Sequence, residues 1–266
     1  MLDSVFEKTV WEVRRSIWWW IGGIGILAGF MVAYYPALGD MSEFADLLES
    51  YPEAMLALFG IDPQEFLTAA GFIHSELYSA MLPVIFLIYT IMRGSAATAG
   101  EEHDGTMDLT LSMPVTRGRI VIDKSLALVV TTASLGLSLV VVLLVGNVIV
   151  DMELSVVGIV AINVGLVLLA LLFGAMAMAI GAWTGRKVIA AGVATGVAVA
   201  AFFFNGLAAL ISAFEVPQQL SPFHWFLDSK PLVNGVDWEG LALLAGTTVV
   251  FFALAVWAFN HRDIST

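Results

Sequence analysis

Apolar positions gather into six long runs, near Ile17–Tyr35, Leu77–Ser95, Leu126–Val150, Val156–Trp183, Val188–Phe214 and Leu241–Phe259. Each is close to or above the ~20 helical residues needed to cross the hydrocarbon of a bilayer. Lipid offers no hydrogen-bond partner to a backbone, so runs of this kind must be helices. The pattern therefore predicts an all-α polytopic membrane protein, with six spans forming one transmembrane domain over 1–266. Ahead of the first run, Leu2, Val5, Phe6, Val10, Val13 and Ile17 recur at helical spacing, while Asp3, Glu7, Lys8, Glu12, Arg14 and Arg15 fall elsewhere. This predicts an amphipathic helix over 1–16 lying on the membrane surface, the plainer alternative being an early start of span one. Between the runs, 36–76 reads as an outer loop with helix-like pieces around Phe44–Leu48 and Glu53–Phe59, punctuated by Pro52 and Pro63. Segment 96–124 reads as a polar inner connection. Segment 215–240, broken by Pro217, Pro222 and Pro231, reads as an outer or re-entrant piece with Phe223, Trp225 and Phe226 at interfacial depth.

Orientation follows from lysine and arginine. Lys8, Arg14, Arg15, Arg93, Arg117, Arg119, Lys124, Arg186, Lys187 and Arg262 flank one side of the spans, and Lys230 alone lies on the other. The positive-inside rule then puts both termini in the cytoplasm. Eight carboxylates between Asp40 and Glu76 make the outer side acidic. Composition agrees with the pattern: 59% of the 266 residues are hydrophobic and 13% charged, against about 25% charged in soluble domains. The run after Arg15 is long and lacks a small-residue cleavage site, which argues against a cleavable signal peptide. A net charge of −12 argues against a nucleic-acid partner. With no cysteine there is no disulfide, thiolate metal site or cysteine nucleophile.

Three stretches mimic chemistry. "GRIVIDKS", Gly118 to Ser125, approaches a phosphate-binding loop, but Asp123 stands where the second glycine belongs and would repel phosphate. "GGIGILAG", Gly22 to Gly29, mimics a dinucleotide fingerprint inside a span. The cluster Glu101, Glu102 and His103 raises an intramembrane metal-dependent enzyme as an alternative, although His74, His224 and His261 are spread over both faces. Neither a metal nor another cofactor is expected in this chain. Charged residues at span centres are scarce, and the amides Asn147, Asn163 and Asn205 suit helix bridging. An ion-coupled mechanism thus lacks its usual carrier. Small residues four apart, Gly25 with Gly29, Gly181 with Gly185 and Gly192 with Gly196, permit close helix approach.

The most specific feature is "EEHDGTMDLTLSMPVTRGRIVIDK", Glu101 to Lys124, a polar segment between spans two and three. A glutamate (Glu101 or Glu102), Gly105, Thr106, Met107, Leu109, Leu111, Ser112, Pro114, Val115, Thr116, Arg117 and Lys124 together resemble the permease subunits of ABC-2-type ABC transporters. In that family a glutamate and a glycine precede a short leucine-rich helix, then L-S-[LM]-P-V-[ST]-R and a lysine entering span three. The resemblance extends over the chain, and "YPEAMLALFG", Tyr51 to Gly60, is similar to the outer loop of archaeal and bacterial members. It implies a coupling helix seated in a groove of a separate ATP-binding subunit. It also implies two copies of each subunit, a permease homodimer lined by spans one, two and five, and export of a substrate. The permease would then not be catalytic, and ATP would be bound by the partner. Apolar, aromatic-rich spans fit a hydrophobic or amphipathic substrate. A non-transporting membrane anchor for an ATPase is a further reading.

The residues themselves suit such docking. Thr106 or Asp104 can cap a short helix that Pro114 limits, with Met107, Leu111 and Val115 on one apolar face. Four carboxylates between Glu101 and Asp108 make an anionic lipid surface a poor alternative partner. Gly25, Gly29, Gly192 and Gly196 are the expected packing positions of a dimer through spans one and five.

Overall fold

A computed structural model describes residues 4–38, 50–52, 55–56, 63–66, 68–103, 115–208 and 215–262. Six helices are long and apolar enough to cross a membrane: α1 (Val5–Tyr34), α2 (Met81–His103), α3 (Arg117–Val150), α4 (Val156–Thr184), α5 (Lys187–Ala208) and α6 (Trp238–His261). No strand occurs among the described residues. The all-α, six-span architecture expected from the hydropathy pattern is the one observed.

Helix starts follow local chemistry. Ser4, Thr116 and Ser155 accept hydrogen bonds from the third residue onward, at Glu7, Arg119 and Gly158. Asp237 does the same for Glu239 and Gly240 at the start of α6. Each oxygen satisfies an amide that has no intrahelical partner. At the far end of α4, Gly185 takes a left-handed conformation (φ 65°) and its amide closes on Gly181 O.

Several helices run past their apolar stretch. Residues 5–16 are continuous with span one, because nothing between Val5 and Ile21 breaks helical hydrogen bonding and the first glycine is Gly22. The helix expected to lie on the surface is thus the leading part of the same rod. Of the segment 96–124, expected to be an inner connection, residues 96–103 complete α2 and 117–124 open α3, while 104–114 lie outside the described residues. Hydropathy marks only the part of a helix that lipid must solvate, and charged turns beyond it remain helical. Ahead of α2, a short helix Ala69–Ile73 and a π-turn His74–Tyr78 extend the second span at its N-terminal end. The helix-like pieces expected at Phe44–Leu48 and Glu53–Phe59 fall almost wholly outside the described residues.

Helix α4 is the hub. Two-thirds of its span is buried, against 17% for α1 and α5 and 22% for α6. It packs most extensively on α2 and α6. The α2–α4 contact is a crossing of glycines: a Cβ on Gly94 would strike the backbone of Gly174, and one on Gly181 would lie 2.6 Å from Thr98 Oγ1. Thr98 Oγ1 uses this proximity to donate to Met178 O at 2.9 Å. Segment 215–240 forms three short helices, Glu215–Gln218, Pro222–Leu227 and Pro231–Asn234. Within it Phe223 and Phe226 are buried, Phe223 against Phe173 and Phe202 and Phe226 beside Gly165. Segment Pro222–Leu227 folds back on the bundle, and desolvating two rings there is more favourable than leaving them at its edge.

Candidate functional site

The stems of the polar segment between spans two and three meet the ends of two other helices. Glu102, in the last turn of α2, pairs with Arg262 just beyond α6, and both side chains are less than one-fifth exposed. The same guanidinium donates through Nη1 to Gly181 O near the end of α4 at 3.3 Å. From the other stem, Arg117 Nη1 donates to Arg262 O at 3.1 Å. Arg262 therefore joins α2, α3, α4 and α6 at the membrane face that carries both chain ends. Gly185 leaves the space this needs, since a Cβ there would collide with Glu102 and lie 2.7 Å from Arg262 Nη1.

The opening turns of α3 are held with equal closeness. Gly118 lies against Asn260 of α6, where a Cβ would come within 3.1 Å of the amide nitrogen. Asp123, 3% exposed, is paired with Arg119 at 2.9 Å. Lys124 crosses to α2, its Nζ donating to Ala97 O at 2.8 Å. Gly118 to Ser125 are thus helical within α3 and hold no phosphate-cradling loop. Gly22 to Gly29 likewise lie inside α1.

Of the residues singled out in the sequence, Glu102 and Arg117 are brought into this junction, Lys124 ties α3 to α2, and Thr116 caps the start of α3. Val115 precedes it and is partly exposed. Glu101 and His103 belong to the last turn of α2, with side chains outside the described residues. Gly105, Thr106, Met107, Leu109, Leu111, Ser112 and Pro114 lie outside the described residues altogether. Among the described residues there is no group of three or more potential metal ligands, and the carboxylate of Glu102 is committed to Arg262. Of the amides, Asn147 caps the turn into α4 by exchanging hydrogen bonds with Leu154, and Asn163 donates within α4 to Ile159 O. The small-residue positions behave differently from Gly94 and Gly181. A Cβ on Gly29, Gly192 or Gly196 would meet nothing within 4 Å, and one on Gly25 only Val142 at 3.8 Å. Among the described residues these faces of α1 and α5 are unpacked.

Sequence reasoning missed Arg262 as a junction residue and Gly185 as its clearance. The available signals were an isolated arginine directly after span six and a glycine directly after span four.

The model of the ABC-2 family transporter proteins matches residues 4–264, nearly the whole chain. The chain belongs to the ABC-2 transporter family. No curated protein matches it at a significant level. Family membership makes this ABC-2 protein a multi-pass membrane permease subunit of an ABC transporter, with an ATP-binding subunit as its implied partner. In this permease the Arg262 junction lies at the root of the polar segment Glu101–Lys124.

Proposed function

We propose that this permease is the membrane half of an ATP-driven exporter, working as a homodimer with two separate ATP-binding subunits. The coupling segment 96–124, through residues between Glu101 and Arg117, docks on the ATPase, and both chain ends lie in the cytoplasm. ATP is bound and hydrolysed by the partner, and the permease itself carries no catalytic group. The observation that supports this most is the Arg262 junction. Both stems of the docking segment, Glu102 and Arg117, are fastened to the same residue, which also holds the end of α4. A displacement of the segment by closing ATPases would therefore move α2, α3, α4 and α6 together instead of bending a loose loop. The open glycine faces of α1 and α5 suit a second copy, and the apolar, aromatic-rich spans suit a hydrophobic or amphipathic substrate.

The test is Leu111→Asp, with co-purification of the ATP-binding subunit and ATPase activity of the assembled complex as readouts. Leu111 is assigned to the apolar face that enters the partner's groove, and burying an unpaired carboxylate there costs several kcal/mol. Each 1.4 kcal/mol is about a tenfold loss of affinity, so partner binding should fall by a hundredfold or more while membrane insertion survives. Wild-type binding and activity in Leu111→Asp would remove this segment from the docking role. Partner binding with full ATPase activity but no substrate movement in the wild-type complex would favour the anchor reading.

A further inference from the structure

A cavity of about 320 Å³ opens beside the junction, walled by α1, α2, α3 and the start of α5. Lys8, Arg93, Lys124 and Lys187 line it, and Glu12 is the one carboxylate among its described lining residues. Four of the chain's 11 lysines and arginines thus converge on one concavity in a chain of net charge −12. The positive-inside rule accounts for cations at this membrane face. It does not account for their convergence from four separate helices on one hollow.

The cavity exists because α2 presents Ala96, Ala97 and Gly100 to α1 at this level, leaving room that larger side chains would fill. Lys124 is buried in its wall and anchored through Nζ to Ala97 O. Arg93 and Lys187 are half-buried, and among the described residues no carboxylate is within ion-pair distance of either. Lys8 is only loosely neutralised, 3.9 Å from a Glu12 carboxylate that is itself mostly exposed. The volume is about ten times the ~30 Å³ share of one water molecule, which is room for a headgroup rather than a single ion. Depth points the same way. Tyr34, an exposed aromatic at the end of α1, suits one membrane interface; about 30 Å of helix from it reaches Arg14, which puts Lys8 and Glu12 near the level of lipid phosphates at the other.

We infer that this cavity binds a phosphate-bearing anionic group at the membrane surface. Arg93 offers a planar fork matched to two phosphate oxygens, and Lys8, Lys124 and Lys187 surround it as point charges. Basic pockets between spanning helices on the inner leaflet are suited to anionic lipid headgroups. A soluble phosphate would satisfy the same donors, and the experiment separates the two sources.

The full-length chain is reconstituted in nanodiscs of phosphatidylcholine, with or without phosphatidylglycerol, and its thermal unfolding is titrated. A parallel arm adds millimolar inorganic phosphate to pure phosphatidylcholine discs, and native mass spectrometry counts retained phosphatidylglycerol. Phosphatidylglycerol should raise the unfolding temperature and remain bound, with Arg93→Gln and Lys187→Gln each weakening the titration about tenfold or more. Arg15→Gln removes the same charge from the same end of α1 outside the cavity and should leave the midpoint unchanged. Arg93→Lys should retain part of the effect. Lys187, at the start of α5, keeps the test open if Arg93→Gln fails to fold. An equal response to inorganic phosphate would support the site and assign it to a soluble phosphate. The inference is overturned if neither anion binds, or if Arg15→Gln loses as much as Arg93→Gln.

Discussion

At the scale of single residues, Arg262 carries more than its place in a charge count suggests. Its guanidinium meets Glu102 and Gly181 O, and its carbonyl accepts from Arg117. Exposed ion pairs contribute about 0–1 kcal/mol, but a hydrogen-bonded charge sheltered from water contributes about 1.5–3 kcal/mol. Arg262→Ala should lower stability by that larger amount, because Glu102 is left charged and mostly buried. Glu102→Gln should cost a similar amount, and the double substitution less than the sum of the two, since both remove one interaction. Arg117→Ala should cost less than either, leaving only a neutral carbonyl without its donor. Thermal unfolding of the four variants in one detergent checks the order. Equal stability of Arg262→Ala and the parent chain would mean that the junction holds nothing together.

Among elements, glycines within the spanning helices do opposite work. Gly94 and Gly174 let α2 and α4 touch backbone to backbone, and no side chain can yield to admit another atom there. Gly94→Ala should therefore force the helices apart at a cost of about 1–3 kcal/mol or more, lost from the unfolding free energy and visible as reduced folded yield. Gly192 points into open space. Gly192→Ala should leave the isolated subunit as stable as before, or up to about 1 kcal/mol better through helix propensity. If Gly192→Ala destabilised the isolated subunit as much as Gly94→Ala, the open face of α5 would be misplaced.

On the scale of the whole molecule, the two least buried spans are α1 and α5. A lipid-facing surface needs no clearance, whereas glycines at Gly25, Gly29, Gly192 and Gly196 suit a second helix at close range. Because the chain has no cysteine, single cysteines introduced on these faces report on nothing else. Cysteines at positions 25 and 192 should give a cross-linked dimer in membranes containing the ATP-binding subunit, and a cysteine at Val249, an exposed position on α6, should not. A monomer at every position, with the partner bound, would count against the dimer.

Hydropathy alone determined the six helices, because a backbone in lipid has only one local way to satisfy itself. It also placed the polar segment at Glu101–Lys124, since so many charges cannot share a span's environment. What tertiary structure decided was where helices end and which residues meet. Lipid solvation stops near the headgroups, but helical hydrogen bonding continues, so α1 and α3 extend into residues the hydropathy pattern assigned to a surface helix and a loop. Phe223 and Phe226 have the composition of interfacial aromatics, and only the fold of Pro222–Leu227 against α4 and α5 puts them inside. Small-xxx-small spacing is identical in packed and unpacked helices, so it could not tell Gly181, against Thr98, from Gly196, against nothing. Arg262 and Glu102 stand far apart along the chain, and their pairing is a property of how α2 and α6 both end beside α4. Sequence records which groups need a partner; the packing of the helices decides which partner is within reach.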